Sequence, residues 1–207
     1  MPSLARQHDG VEAEIALLKR FKQNALPLSR TRPTTEWEWM FLMQHHGVPT
    51  RLLDWTESPL IGLYFSVYEN PEKDGALWCL NPTKLNENAN VTYDFTLEIS
   101  CFDQDNILDS YLPTKLASER RTTLTPLAAM AIRDNPRVFA QLGNFTITHR
   151  TQTAIESVGS SDHIWRFKIP SASKETIKNQ LSSIRITKLT LFPELDNVAL
   201  VAKEILR

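Results

Sequence analysis

Between Gln44 and Leu60 the chain reads QHHGVPTRLLDWTESPL, and the placing of this stretch decides the fold. It crowds two histidines, an arginine, an aspartate, a tryptophan and several hydroxyls between two apolar segments. On its N-terminal side, Thr35 offers a hydroxyl cap with Glu38 three positions on, the pattern of a capping box, so EWEWMFLMQHH is predicted as a helix. Trp39, Leu42 and Met43 line one face and Trp37, Met40 and Phe41 another, which makes the helix buried, and Gly47 ends it. On the C-terminal side, Ser58 followed by Pro59 is a cap followed by the residue best suited to the first helical position. A second apolar helix therefore runs through LIGLYFSVYE and stops near Asn70-Pro71. The VPTRLLDWT connection is expected as a short loop pinned at both ends, a fixed platform for its polar side chains.

Working outward, Val11 to Asn24 repeats apolar residues at helical spacing through Ile15, Leu18 and Phe21, with Glu12 and Glu14 early and Lys19, Arg20 and Lys22 late, an order that suits the helix macrodipole. Strand signals fill the middle of the chain. Asp74-Gly75 is a turn before ALWCL, and VTYDFTLEI alternates apolar and polar positions from Val91 to Ile99. A short helix is expected around Thr125-Pro126, RVFAQLGNFTITH as two strand pieces broken at Gly143, and HIWRFKIP as a further strand. Ile177, Leu181 and Ile184 then mark one helix, and Leu195, Val198, Ala199 and Ala202 keep the helical period in another. Helices at both ends with strands between them predict an α+β fold, a single domain over residues 1–207 with a central, mainly antiparallel sheet.

The 207 residues are 42% hydrophobic and 23% charged, a globular composition able to bury a core and a pocket of its own. With 23 basic and 24 acidic side chains and no long block of either sign, general nucleic-acid binding is not expected. No apolar run approaches the roughly 18–20 residues of a membrane span, and MPSLARQHDG lacks the organisation of a signal peptide, so the expectation is a cytoplasmic protein off the membrane. Cys79 and Cys101 share no CxxC spacing and are read as structural thiols rather than metal ligands. No nucleophile elbow, phosphate-binding glycine loop, dinucleotide fingerprint or HExxH segment occurs, and no metal site is expected.

The chemistry therefore concentrates in the opening stretch, where two readings stand side by side. Arg51 and Asp54 are three apart and close enough to pair; under Trp55 such a pair would be a structural lock, and leaving either charge alone there would cost roughly 3–5 kcal/mol. Alternatively, the free amides of the helix that starts at Ser58 could converge with the hydroxyls of Thr50, Thr56 and Ser58 and the Arg51 guanidinium on an anion such as a pyrophosphate. His45 and His46 point about 100° apart on a helix and cannot share a metal; one suits a helix end, the other a ligand or proton-transfer role. Gln44 suits a ribose, an amide, or the helix end.

Taken together, EWEWMFLMQHHGVPTRLLDWTESPLIGLYFSVYE, DGALWCLNPTKLN and NPRVFAQLGNFTITH resemble the FRG domain, a prokaryotic and phage family with a QHxGxPTRLLDWT core, over nearly the whole chain. The resemblance also expects an aromatic-Arg-Gly motif ahead of PSLAR; neither Phe-Arg-Gly nor Tyr-Arg-Gly occurs here, which implies a start site placed late or the loss of that element. The family pattern is similar to that of ADP-ribosyltransferase-like domains. That likeness implies Thr56 and Ser58 in a polar segment, Leu63, Tyr64 and Phe65 in the helix after it, Gly62 where the family carries alanine, and Arg137, Gln141 and Gly143 near a late strand.

In such a transferase a carboxylate steadies the ribose 2′-hydroxyl as positive charge builds at the anomeric carbon, and Gln141 can bond a ribose without supplying that charge. The resemblance thus implies NAD as a substrate, with no cofactor required, for ADP-ribosyl transfer or NAD hydrolysis in phage or mobile-element conflict. Arg51 would orient phosphate, Asp54 would fix Arg51 or steady the developing cation, and Gln141 would hold ribose, with Gln44, His45, Thr50, Thr56, Ser58, Tyr64 and Arg137 lining the site. The other reading is a noncatalytic module that senses a nucleotide or grips a protein partner.

Overall fold

A computed structural model describes residues 2, 4, 10–29, 32–91, 99–119, 121–133, 135–151 and 153–203. The chain opens with helices α1 (Gly10–Ala25) and α2 (Glu36–His45), strand β1 (Leu52–Thr56) and helix α3 (Pro59–Tyr68). Strand β2 (Gly75–Leu80), helices α4 (Pro82–Asn88) and α5 (Pro113–Ser118) and strand β3 (Leu127–Met130) follow. Helix α6 (Pro136–Ala140), strands β4 (Gly143–Ile147) and β5 (Ile164–Ile169), and helices α7 (Lys174–Ser183), α8 (Lys188–Leu191) and α9 (Leu195–Lys203) complete an α+β order with helices at both ends. The strands form two sheets, one three-stranded in the order β1-β4-β3 and one two-stranded, β2 antiparallel to β5.

Contacts divide the chain into two compact units. The first comprises Met1–Asp54, Asn81–Ile132 and Phe145–His163. Its α2 begins as the sequence predicts: the Thr35 hydroxyl accepts from the Glu38 amide, and Glu38 reaches back to the cap backbone. The helix is buried through Trp37, Trp39, Met40 and Met43, and Gly47, at φ 75°, supplies the left-handed turn that ends it. Trp37 meets Phe102 at 4.7 Å and Phe41 stacks on Phe145 at 5.1 Å. Leu18 of α1 packs with Trp39 and Met43.

The second unit comprises Trp55–Leu80, Arg133–Asn144 and Ile164–Arg207. Ser58 caps α3, whose Ile61, Tyr64 and Val67 form a core with Ile169, Leu181 and Leu191. A side chain at position 75 would put its Cβ 2.3 Å from the Ser66 carbonyl oxygen, so only glycine lets β2 start this close to α3. Buried Lys174 closes the other end of α3, its ammonium donating to the Glu69 and Asn70 carbonyls at 2.9 and 3.0 Å.

Three expectations change. The connection after α2 is not a loop: Leu52–Thr56 is a strand, tied antiparallel to β4 by the Thr148 amide on the Arg51 carbonyl and the Glu57 amide on the Leu142 carbonyl. The helix expected at Thr125-Pro126 is strand β3. Asn86 of α4 clasps its Ala128, accepting from the amide and donating to the carbonyl, so the backbone groups a helix would pair internally are met by a side chain. The first strand expected in RVFAQLG is helix α6, started by an Asn135 cap with Pro136 at its first position, the same device as Ser58-Pro59. Of the alternating run Val91–Ile99, residues 92–98 lie outside the described residues.

Candidate functional site

In the first unit Arg51 is fully enclosed, 1% exposed, and every donor it offers is engaged inside the protein. Its Nε meets Glu14 Oε2 at 2.5 Å, Nη1 donates to the Thr148 carbonyl at 2.6 Å and Nη2 to the Tyr111 carbonyl at 2.5 Å. The backbone amide of Arg51 also donates to Glu14 Oε1 at 3.0 Å. The expected Arg51–Asp54 pair is therefore not formed. On an extended strand, residues an odd number apart face opposite ways, so Arg51 enters the core while Asp54 is exposed.

The partner that sequence reasoning missed is Glu14. It lies with Val11 and Leu18 on the buried side of α1, and a carboxylate on an apolar stripe is itself the signal that a buried cation must meet it. Reading Glu14 only as complementing the helix dipole concealed that. Beside the pair, burial first and the Arg51 charge second push His149 down to about 4, and its ring accepts the Leu124 amide at 3.1 Å.

Three other candidates of this unit are brought together. The Thr50 hydroxyl donates to Gln44 Oε1, and Gln44 Nε2 donates to Asp54 Oδ2 at 2.8 Å. The chain of bonds fixes the Gln44 amide in one orientation and holds an exposed carboxylate at its end. His45 and His46 sit at the end of α2 with ring centres 4.9 Å apart and nearly perpendicular planes, which fits the expectation that they do not share a metal.

In the second unit the hydroxyl of Thr56 donates to the Gln141 carbonyl at 2.7 Å and accepts the Ser58 amide at 3.1 Å, while Ser58 caps the Ile61 amide. Gln141 itself donates to the Leu191 carbonyl at 3.0 Å. Tyr64 is buried, stacked on Tyr68 at 5.0 Å, and burial raises its phenol above the usual range. The Arg137 guanidinium lies over the Phe192 ring at 4.6 Å.

Between Thr56 and Ser58 stands the second residue that sequence reasoning passed over, Glu57. Its Oε1 accepts from the Arg133 guanidinium and from Asn144 Nδ2, the latter at 2.8 Å. Arg133 holds the carboxyl below its usual range, and Asn144 adds to the effect. An ionised carboxylate is thus fixed at the end of β1 in the same unit as Thr56, Ser58, Arg137 and Gln141.

A hollow of about 320 Å³ in this unit is lined by Tyr68, Lys188, Leu189, Asn197, Leu200, Val201 and Lys203, none of them a candidate from the sequence. Among the described residues no helix is long and apolar enough to cross a membrane, and no group of three or more His, Cys, Asp or Glu could hold a metal ion. Residues 1–75 match the family model of the FRG domain. No curated protein and no solved structure matches the chain.

Proposed function

Because residues 1–75 carry an FRG domain, we propose that this protein takes a nucleotide of the NAD type, and that Glu57 is the carboxylate serving it. The observation behind this reading is the clamp on Glu57: Arg133 and Asn144 both engage Oε1, which keeps the group charged and leaves Oε2 to accept a ribose hydroxyl. In ADP-ribosyl transfer or NAD hydrolysis the bond from the anomeric carbon to nicotinamide breaks, and nicotinamide leaves with the electron pair. An acceptor hydroxyl or water then bonds the same carbon and gives up its proton. A fixed negative charge beside the ribose favours the state in which that carbon is cationic. Arg137 is the cation of the same unit suited to phosphate, and Gln141 to ribose; Arg51 is not available for either role.

Following nicotinamide release from NAD by the purified protein tests the reading. Glu57→Gln, which keeps shape and removes charge, is expected to lower release by about 100-fold, whereas Asp54→Ala leaves most of it. Absence of release by the wild type, or equal release by Glu57→Gln, removes the proposal of turnover.

A noncatalytic binding role is the second reading, favoured by the enclosure of Arg51, which leaves the most conspicuous cation of the motif to structure alone. A nucleotide bound without turnover would still raise stability by about 2.7 kcal/mol at 100 times its dissociation constant. A melting shift with NAD in the absence of nicotinamide release selects this reading.

A further inference from the structure

Helix α9 carries six apolar residues in nine, LDNVALVAK, yet contributes no buried residue. Leu195 is 82% exposed and Val198 48%, and Ala199 and Ala202 are exposed with them. These four stand at i, i+3, i+4 and i+7, one stripe along the helix, while Asn197, Leu200 and Val201 face the hollow beside α8. A helix this apolar is stable beside water only when its stripe is covered.

We propose that the stripe packs against the same stripe of a second copy of this chain, antiparallel, about a two-fold axis between Val198 and Ala199. In that register Leu195 of each copy opposes Ala202 of the other, and Val198 opposes Ala199. Each large side chain meets a small one, so the helices approach to the short end of the usual 8–10 Å range. The charges agree with the packing. Asp196 and Lys203 project from the same side of the stripe at opposite ends of the helix, so the two-fold sets Asp196 of one copy beside Lys203 of the other, twice. Neither is ion-paired to another described residue. A parallel pairing would instead set Asp196 against Asp196 and Lys203 against Lys203. Antiparallel helices also oppose their dipoles favourably. The surface involves neither Glu57 nor Asp54, and the inference stands apart from the nucleotide reading.

Sedimentation equilibrium of the full chain over a wide concentration range tests it. The wild type is expected to move from monomer to dimer mass as concentration rises, and Val198→Glu to remain a monomer with an unchanged circular dichroism spectrum. Asp196→Lys and Lys203→Glu are each expected to weaken dimerisation about tenfold, through the two symmetric pairs, and the double variant Asp196→Lys with Lys203→Glu to restore it. A wild type that stays monomeric throughout, a dimer that survives Val198→Glu, or a double variant no better than the singles overturns the proposal.

Discussion

The two arginine–carboxylate pairs of this protein sit six positions apart along one motif and live in opposite surroundings. Arg51 and Glu14 have side chains 2% and 0% exposed, whereas Arg133 and Glu57 have side chains 28% and 52% exposed. The first pair can only hold structure together, because the guanidinium has no face left for anything but Glu14, Thr148 and Tyr111. The second is charged, fixed and open to water, which is what a group that meets a ligand requires. The same chemical partnership thus serves architecture at one end of β1 and presents a carboxylate at the other.

Breaking the enclosed pair is expected to have the largest effect. Arg51→Ala leaves Glu14 charged and alone in the core, and should cost about 3–5 kcal/mol in denaturant melts. Replacing both partners by apolar residues of similar volume, Arg51→Met with Glu14→Leu, should cost less than either single change; an additive result would mean the two do not act as a unit.

Acid sharpens the contrast at the next level. His149 stays neutral in the fold down to about 4, against 6.5 in the ordinary case, so the unfolded chain binds its proton more readily. Stability from this source is complete above about pH 6.5 and falls as pH drops to about 4, by the order of 2–3 kcal/mol in all. Urea melts between pH 7 and 4 should show the loss, and His149→Gln should flatten it. Over the same range Glu57, lowered by Arg133, keeps its charge longer than an ordinary glutamate would.

The exposed pair should give the smallest effect on stability. Glu57→Gln or Arg133→Ala is expected to change unfolding free energy by about 0.2–1 kcal/mol, less in high salt, while altering any ligand response. A stability loss from Glu57→Gln as large as that from Arg51→Ala would erase the distinction between the pairs.

Much of the fold was legible where local chemistry decides it. Thr35 with Glu38 and Ser58 with Pro59 name their helix starts without reference to anything distant. The segments misread are those whose state is set by partners far along the chain. LLDWT is too short to show a period, and becomes a strand because β4 supplies its hydrogen bonds. LAAM becomes a strand beside an asparagine 42 positions away. Helix α6 is different: Asn135-Pro136 repeated a signal already trusted at Ser58-Pro59, and the valine and phenylalanine beside it drew the reading toward a strand.

At the site, the importance of Arg51 was visible and its partner was not, because three residues of separation suggests a pair only while the segment is assumed to turn. The family match reaches as far as residue 75, so it spans Arg51, Asp54 and Glu57 and leaves Arg133, Gln141 and Asn144 to be placed by geometry. Glu57 lay inside the quoted motif from the start, and only its neighbours Arg133 and Asn144, 76 and 87 positions on, distinguish it from an ordinary surface acid.

The enclosed guanidinium has a kinetic consequence. It gathers Glu14, Tyr111 and Thr148 from 37, 60 and 97 positions away, and closing spans of that size loses chain entropy before any of the contacts can form. Refolding of this part of the chain should therefore be slow and all-or-none, with a half-assembled intermediate exposing a bare arginine and glutamate to whatever else is nearby.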